Sequence, residues 1–372
     1  MEQQTLIVGA GPYGVAIALE LERRGVPFRI FGEPFALWLH HTFDRMLLRS
    51  APQASDIPSH DRRYNFVEYL ERQGHVSAPE DRLNVEVFRG FLREVVGRLP
   101  FDIERQRIER LERLDDGSGY LAHDSSGQAI PCRSVIVATG CGDHRHLPPS
   151  LADLPSDRVL HSWQAQEIED LEDRRVLVVG GGQSAAEAVG TLVVKNRVTW
   201  AMRHEPFFFR EPLRLPTPLF NGVLRLSPVL DHLPPVIYRS FARACFRTTI
   251  TPDLRQFYDR EDTDILFADA EELHLEAAGD GLKAGIDGTV YDAVVSATGY
   301  KYRVAGVPFL STELRRALGG DQAVPHLDRA FQTPVQGLFF AGGIAEGTFG
   351  PAQRFLFGSR HAARRIGEAL GS

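Results

Sequence analysis

Short apolar runs that end at glycine recur along the chain and predict parallel β-sheets. Residues Thr5 to Val8 form the first run, which leads into the turn Gly9 to Gly14 and a helical stretch through Glu22. A second apolar run from Phe28 to Phe31 completes a β-α-β unit. Buried strands that alternate with helices are typical of α/β folds.

The same pattern recurs in the middle of the chain. It predicts a strand over Arg175 to Val179, a turn over Gly180 to Ala185, a helix over Ala186 to Val194 and a strand over Val198 to Met202. Two such units in 372 residues predict an α/β fold with two Rossmann-like dinucleotide-binding domains, because one hydrophobic core rarely grows to this size.

Three further apolar runs end in glycine and suggest how the domains share the chain. They are Ser134 to Gly140, Ala293 to Gly299 and Leu338 to Gly343. The simplest partition inserts one domain in the other, so that residues 1–155 and 300–372 form the first domain and residues 156–299 the second. A C-terminal helix follows the last run.

The stretch 206–252 fits neither unit. It carries the aromatic run Phe207 to Phe209 and several prolines, which interrupt regular elements. We expect loops and short helices that cover an active site, form a subunit contact or pack on the surface.

The first glycine turn has the spacing that a dinucleotide requires. Gly9 permits the tight turn, Gly11 lets the backbone approach a pyrophosphate, and Gly14 lets the helix pack closely. The pyrophosphate would then lie on unpaired N–H groups of the helix. Glu33, at the end of the second strand, can accept hydrogen bonds from a ribose 2′-hydroxyl but would repel a 2′-phosphate, so this site suits FAD or NAD.

The second glycine turn differs at the end that distinguishes coenzymes. Arg203 follows the strand where the first unit has a carboxylate, and a guanidinium there can bind a 2′-phosphate. NADPH is therefore favoured over NADH, although an ordinary solvated arginine is the alternative. Gly180 and Gly182 would shape the turn, and Gln183 and Ser184 could bond the phosphates.

Two dinucleotide sites are what a hydride-relay enzyme needs, because the nicotinamide supplies a hydride and the flavin accepts it. The last glycine turn, with Gly347 to Gly350 and a helix, would place a positive helix N-terminus near the flavin. A plain strand-turn-helix without this role is the alternative.

Composition excludes several other functions. The net charge of -7 gives no support for nucleic acid as a partner. No apolar stretch reaches the ~20 residues of a membrane span, and no signal peptide is visible, so we expect a cytoplasmic protein. Cys132, Cys141 and Cys245 are too scattered for a zinc site or a C-x-x-C redox pair, and we predict no metal.

Several motifs resemble those of the flavin-containing monooxygenases, including the ornithine and lysine N-hydroxylases and the FAD-dependent urate hydroxylases. They are GAGPYG at residues 9–14, FRIFGEPFALW at 28–38, MLLRSAPQAS at 46–55, FVEYL at 66–70, HSW at 161–163, GGGQSAAE at 180–187, ATGY at 297–300 and GGIAEGTFG at 342–350. The resemblance spans nearly the whole chain.

The resemblance implies an FAD-dependent monooxygenase that uses NADPH and molecular oxygen to hydroxylate a small metabolite, at nitrogen or carbon, through a flavin hydroperoxide. It implies that Gly343, Ile344 and the first turn hold FAD and that Arg49 and Ser50 line the flavin face. The remaining candidate cofactor-binding residues are Pro12, Tyr13, Trp38, Val87, Thr139, Gly140, Thr298, Gly299 and Tyr300.

Departures from the family pattern limit the choice of substrate. The N-hydroxylases carry a substrate-binding lysine close to the place of Pro52, which argues against ornithine or lysine here. Only His161 and Ser162 remain of the F-x-G-x-x-x-H signature, and a loop histidine is more often structural, so we assign no catalytic acid or base. A homodimer is the base-rate expectation. A reductase that transfers hydride without inserting oxygen is the main alternative function, and a non-catalytic redox sensor is a third.

Overall fold

The structure is a computed structural model, and it describes residues 4–75, 82–208 and 250–371. The strands are β1 Thr5–Val8, β2 Phe28–Phe31, β3 Ile108–Arg113, β4 Tyr120–Asp124, β5 Ala129–Cys132, β6 Ser134–Val137, β7 Val159–His161, β8 Arg175–Val179, β9 Arg197–Met202, β10 Thr263–Phe267, β11 Leu275–Ala278, β12 Gly281–Ala284, β13 Val290–Tyr291, β14 Ala293–Ser296 and β15 Leu338–Phe340.

Helices flank these strands. They are α1 Pro12–Arg24, α2 Ala36–His40, α3 Phe66–Arg72, α4 Val85–Val96, α5 Pro149–Ala152, α6 Ala165–Glu169, α7 Gln183–Leu192, α8 Arg255–Tyr258, α9 Thr312–Ala317, α10 Glu346–Phe349 and α11 Ser359–Leu370. Single 3₁₀ turns connect several of them.

The first sheet is parallel, with strand order β15-β6-β1-β2. All four residues of β1 are buried, as a strand covered on both faces requires. Helix α1 begins with Pro12, whose fixed φ suits the first helical turn. It ends at Gly25, which has φ +67° and a backbone N–H bonded to the helix carbonyls. Helix α1 packs against α11 beside this sheet.

The second sheet is also parallel, with strand order β10-β9-β8-β14-β7. The two sheets share one arrangement. In the first, β1 leads into the glycine turn and lies between β2 and β6; in the second, β8 leads into the glycine turn and lies between β9 and β14. The sequence Ala-Thr-Gly follows both β6 and β14. Strands β8, β9 and β14 therefore correspond to β1, β2 and β6. The predicted α/β class with two parallel Rossmann-like sheets is confirmed.

Two small antiparallel sheets were not predicted from the sequence. They have the orders β3-β4-β5 and β11-β12-β13. The hairpin between β4 and β5 turns at Gly127, where φ is +84°, a conformation that glycine adopts without strain. Strand β3 has only two buried positions, Ile108 and Leu111, and charged residues fill the other four, so no apolar run marks it.

The chain passes between the two sheet units at two adjacent crossings. Strands β7 to β14 lie in sequence between β6 and β15, so one crossing follows β6 and the other follows β14. The His146 N–H donates to the Gly299 carbonyl at 2.9 Å, and the Lys301 N–H donates to the His144 carbonyl at 2.8 Å. The predicted domain boundaries at residues 155 and 299 stay predictions.

One segment of the first unit packs into the second. Residues 41–46, here called the inter-unit segment, contribute Phe43, which is 4% exposed, to the core beside β8, β9 and α7. The Asp44 N–H donates to the Glu169 carboxylate at 2.8 Å. The Arg45 guanidinium donates to the Gly190 carbonyl and lies 4.2 Å from the centre of the Phe257 ring. Apolar and polar contacts thus join the units.

The structure corrects the bounds of one predicted helix and adds short elements before another. The helix after the second glycine turn begins at Gln183 rather than Ala186 and ends at Leu192 rather than Val194. After β15 the chain forms short turns and the four-residue helix α10, and the long helix α11 begins only at Ser359. Gly350 has φ +88° and ends α10. Helix α11 contains Ala362, Ile366 and Ala369 and is the predicted C-terminal helix. Most of the predicted 206–252 stretch lies outside the described residues.

Candidate dinucleotide-binding sites

A cavity of about 560 Å³ lies at the carboxyl ends of the strands of the first sheet. Such a volume is typical of small-molecule and cofactor sites, and this edge is where parallel sheets bind ligands. Nine predicted cofactor-binding residues line it: Gly9, Gly11, Pro12, Tyr13, Glu33, Trp38, Thr139, Gly140 and Gly343. Residues that are far apart in sequence therefore share one cavity.

The glycines of the first turn meet different surroundings. Gly9 has φ +113°, and a Cβ there would lie 2.2 Å from the Ala138 carbonyl oxygen, so a side chain is excluded. A Cβ on Gly14 would lie 1.8 Å from the Gly9 carbonyl oxygen, which shows how closely α1 packs on the turn. At Gly11 a Cβ would meet no described atom within 4 Å. Gly11 is therefore open towards the cavity.

Glu33 lies at the cavity edge next to β2, as the spacing predicted. Arg105 donates to both of its carboxylate oxygens, at 2.7 and 2.9 Å. This pair holds the carboxylate beside the cavity. Its remaining lone pairs can still accept hydrogen bonds from a hydroxyl group.

Hydrogen bonds to other segments of the chain hold Tyr13 and Trp38 at the cavity. The Tyr13 hydroxyl donates to the carbonyls of Gln353 and Phe355, at 2.8 and 3.0 Å. Arg89 is 7% exposed, and its guanidinium donates to the carbonyls of Trp38 and Thr42 at 2.9 and 2.7 Å. These bonds position the aromatic residues that line the cavity.

Other predicted FAD residues do not line this cavity. Gly14 and Ile344 are buried behind it, next to residues that do. Arg49 is exposed and Ser50 half-buried in the loop after the inter-unit segment, and Val87 lies in α4, packed against the first core. These three residues were predicted from sequence similarity, which does not show whether a side chain faces the cavity.

Several aromatic cavity residues are not among the predicted cofactor-binding residues, and His41 and Trp163 are two of them. The His41 ring stacks on the Trp163 ring with centroids 3.9 Å apart, and His41 Nδ1 lies 3.0 Å from the Trp163 carbonyl oxygen. Burial lowers the pKa of His41. The pair connects the two units at the cavity, and only its HSW motif gave a sequence signal.

The second glycine turn repeats the geometry of the first. Gly180 has φ +143°, and a Cβ there would lie 2.4 Å from the Ala297 carbonyl oxygen. The buried Trp200 indole N–H donates to the Gly180 carbonyl at 2.7 Å. At Gly182, as at Gly11, a Cβ would meet none of the described atoms within 4 Å. Arg203 is exposed directly after β9, at the same edge of the sheet.

The Gln183 side chain has protein partners, and its predicted phosphate contact stays a prediction. Its Nε2 donates to Glu187 at 2.8 Å and to the Thr251 hydroxyl at 3.2 Å, and its Oε1 accepts from the Thr251 N–H at 3.0 Å. Burial raises the pKa of Glu187. Ser184 lies half-buried in the first turn of α7, beside the open Gly182.

Thr298, Gly299 and Tyr300 lie at the crossing between the units. The Thr298 hydroxyl donates to the His146 carbonyl at 2.6 Å. His161 Nδ1 accepts from the Trp163 N–H at 3.1 Å, and Nε2 lies 3.3 Å from the Gly299 carbonyl oxygen. Burial lowers the pKa of His161 to about 4, so the ring is neutral at pH 7. These bonds give His161 a structural role.

The two cysteines within the described residues, Cys132 and Cys141, do not form a redox pair. Cys141 lines the cavity, and burial raises its pKa to about 12, so it is not a thiolate at neutral pH. Cys132 is buried elsewhere, and Cys245 lies outside the described residues. The described residues contain no cluster of side chains suited to a metal ion. None of their helices combines the length and apolarity of a membrane span.

Comparisons with known proteins agree with this geometry. A sequence profile described as pyridine nucleotide-disulphide oxidoreductase matches residues 6–214. A probable indole-3-pyruvate monooxygenase of Arabidopsis thaliana, YUCCA7, is 31% identical over 198 residues, which cover 49% of this chain and 42% of the relative. The chain thus spans about half the length of the curated relatives it matches.

Solved structures match over nearly the whole chain. An ornithine hydroxylase from Pseudomonas aeruginosa has a TM-score of 0.74 at 18% identity and covers 100% of this chain and 99% of its own. An L-lysine 6-monooxygenase from Pseudomonas syringae has a TM-score of 0.74 at 19% identity, with 99% of each chain covered. These likenesses establish the fold, and the resemblance predicted from the motifs is confirmed.

Proposed function

Because the chain belongs to the pyridine nucleotide-disulphide oxidoreductase family, we propose that it is an FAD-dependent monooxygenase that uses NADPH and molecular oxygen to hydroxylate a small metabolite. The observation that carries this proposal is the repeated glycine turn, open towards ligand at Gly11 and again at Gly182. When bound, FAD supplies the redox chemistry by accepting a hydride from the nicotinamide and activating oxygen.

The first cavity fits FAD by its shape and its polar groups. The N-terminus of α1 and the open backbone at Gly11 suit a pyrophosphate, because N–H groups there point at the ligand. Glu33 suits a ribose hydroxyl at one side of the turn, and Gly343 lies at the other side. Tyr13 and Trp38 supply apolar surface between these points.

The second turn suits the coenzyme that reduces FAD. Gly182 leaves room for a pyrophosphate at the N-terminus of α7, and Arg203 presents an exposed guanidinium at the end of β9. A guanidinium binds a 2′-phosphate through charge-assisted hydrogen bonds, which favours NADPH. The Gln183 side chain holds Glu187 and Thr251, so backbone groups and Ser184 are left to meet the phosphates.

The main alternative is a reductase that passes hydride through FAD without inserting oxygen. Its disulphide version requires an activated thiolate and a partner thiol. The high pKa of Cys141 and the spacing of the three cysteines argue against that version. A quinone or ferredoxin reductase is the form of the alternative that an experiment must separate.

Rapid mixing separates the two functions. The purified holoprotein is reduced anaerobically with NADPH and then mixed either with oxygenated buffer or with a soluble quinone. A monooxygenase should return to the oxidised flavin spectrum after a resolvable delay in oxygen and should react slowly with the quinone. Fast transfer to the quinone without a delay in oxygen would support the reductase. A protein purified without flavin would contradict both.

The coenzyme assignment has a matched control on one strand. Arg203→Ala removes the guanidinium at the carboxyl end of β9, whereas Arg197→Ala removes an exposed one at its amino end. NADPH affinity should fall about 10-fold or more in Arg203→Ala, because hydrogen bonds to charged groups contribute about 1.5–3 kcal/mol. NADH affinity and the Arg197→Ala variant should be unaffected. Equal losses for both coenzymes would overturn the assignment.

The comparisons support a class of substrate, small polar metabolites, and no individual compound. The matched relatives are named for ornithine, lysine and indole-3-pyruvate, which are all small polar metabolites. The predicted cytoplasmic location and the homodimer stay predictions.

A further inference from the structure

The strand order of the first sheet indicates where the flavin ring of FAD would lie, provided that the proposed function holds. Glu33 lies next to β2 at one edge, Gly9 and Gly11 follow β1, and Gly343 lies near β15 at the other edge. Three strand spacings of about 4.8 Å separate the edges by roughly 14 Å. With the ribose at Glu33 and the pyrophosphate at Gly11, the flavin reaches Gly343.

The turn that receives the flavin brings no polar side chain of its own. It reads Gly342-Gly343-Ile344-Ala345 and is separated from the end of β15 by one residue. A flavin ring carries two carbonyl oxygens and an imide N–H, and polar groups that become buried require hydrogen-bond partners. Side chains from other segments must therefore supplement the backbone of this turn.

Tyr302 occupies the space that a side chain on Gly343 would fill. A Cβ built on Gly343 would lie 2.1 Å from Cζ and 2.5 Å from the hydroxyl oxygen of Tyr302. Both residues line the cavity. No described residue forms a hydrogen bond with this hydroxyl. The phenol therefore brings an available side-chain donor to the place where the glycine turn has none of its own.

Two neighbours hold the Tyr302 ring in this position. The His144 ring lies 4.9 Å away between centroids, and the Arg354 guanidinium lies 5.2 Å from the Tyr302 ring centre. Arg354 is itself paired with Glu346 at 2.5 Å. The ring is thus fixed between the crossing that follows β6 and the segment before α11.

Gln353 provides a second polar group at the same cavity. The residue is 2% exposed, and its Oε1 has no hydrogen-bond partner among the described residues. Its backbone is fixed, because its carbonyl accepts the Tyr13 hydroxyl at 2.8 Å. Buried carboxamides without partners are rare in folded proteins, so this one points to a ligand that completes it. A carboxamide can both donate to a carbonyl and accept from an imide N–H.

We propose that the Tyr302 hydroxyl and the Gln353 carboxamide are the side-chain hydrogen-bonding groups for the flavin ring of bound FAD. Tyr302 replaces the side chain that Gly343 lacks, and Gln353 matches the imide face of the ring by its paired donor and acceptor. Both residues therefore act on the flavin half of the cofactor and not on its adenosine half.

The test compares Tyr302→Phe and Gln353→Met with the wild-type holoprotein. Affinities for FAD, riboflavin and ADP are measured by competition, using the fluorescence of released FAD. Each variant should bind FAD and riboflavin about threefold to tenfold more weakly, as loss of one hydrogen bond predicts, and should bind ADP as the wild type does. The visible spectrum and midpoint potential of the bound flavin should also shift.

Tyr64→Phe is the matched control, because it removes a hydroxyl that donates to the Arg98 carbonyl away from the cavity. It should leave all three affinities unchanged. The inference is overturned if Tyr302→Phe keeps wild-type riboflavin affinity and flavin spectrum, or if ADP affinity falls as much. Tyr302→Phe alone decides the matter if Gln353→Met does not fold. A wild-type protein that holds no flavin would instead refute the proposed function.

Discussion

Gly182→Ala should separate coenzyme binding from folding. Gly182 has φ -109° and ψ -176°, which alanine also adopts, and its Cβ would meet no described atom within 4 Å. The substitution should therefore change the free energy of unfolding by less than about 1 kcal/mol, because alanine restricts the unfolded chain but is a poorer N-cap for α7 than glycine. The new methyl group would nevertheless occupy the place where a pyrophosphate approaches the backbone.

The expected loss of coenzyme affinity follows from that position. Separating the pyrophosphate from even one charge-assisted hydrogen bond costs about 1.5–3 kcal/mol, which is a loss of roughly 10-fold or more. NADPH and NADH should lose equally, since they share the pyrophosphate. The assay is the coenzyme dependence of the rate of anaerobic flavin reduction, with urea unfolding measured in parallel.

Gly180→Ala is the comparison that should behave differently. Its φ of +143° and the 2.4 Å approach to the Ala297 carbonyl oxygen leave no room for a Cβ, so this variant should lose stability itself. The reasoning is refuted if Gly182→Ala folds normally and still binds NADPH with wild-type affinity. It is equally refuted if Gly180→Ala is as stable as the wild type.

Three further predictions test the packing around the sites. Phe43→Ala should cost about 3–5 kcal/mol in urea unfolding, because Phe43 is 4% exposed, whereas Phe267→Ala, at a 56% exposed position, should cost less than about 1 kcal/mol; equal costs would contradict the inter-unit packing. Arg89→Met should lower the free energy of unfolding by about 3 kcal/mol or more, because it leaves buried partners without the guanidinium. Arg89→Lys should lower it nearly as much, since lysine cannot bond both the Trp38 and Thr42 carbonyls in the same geometry. Wild-type stability of the lysine variant in a thermal melt would contradict this. Burial lowers the pKa of His361 to about 4, so the unfolded chain binds this proton first as pH falls below 6.5, and the wild type loses stability between pH 6.5 and 4. His361→Phe should remove up to about 1 kcal/mol per pH unit of that loss, and identical slopes in urea unfolding would refute the assignment.

Local sequence signals predicted the two glycine turns well. The spacing of Gly9, Gly11 and Gly14 forms a local motif that can be read from the chain directly, although the atom that excludes a side chain at Gly9 belongs to the distant Ala138. Seven strands of the two parallel sheets were equally clear as apolar runs, six of which lead into glycine, whereas the edge strands β7 and β10 were not predicted. The antiparallel strands lack such runs and were missed.

Features that depend on contacts between distant residues could not be predicted. Nothing near Gln183 in the sequence shows that Thr251 would bind its side chain. Nor does the Ala-Thr-Gly-Tyr motif show that Thr298 would lie at the crossing between units, bonded to the His146 carbonyl. The position of Val87 was carried over by similarity alone, and α4 holds it outside the cavity.

The inter-unit segment limits how the protein can be divided or recombined. Phe43 belongs by sequence to the first unit, yet it completes the core of the second together with residues of α6 and α7. A fragment of residues 156–299 would thus expose an apolar hollow to water. A chimaera that takes its coenzyme-binding unit from a relative must also take residues 41–46 from that relative. Otherwise Phe43 would face a core that is not shaped for it.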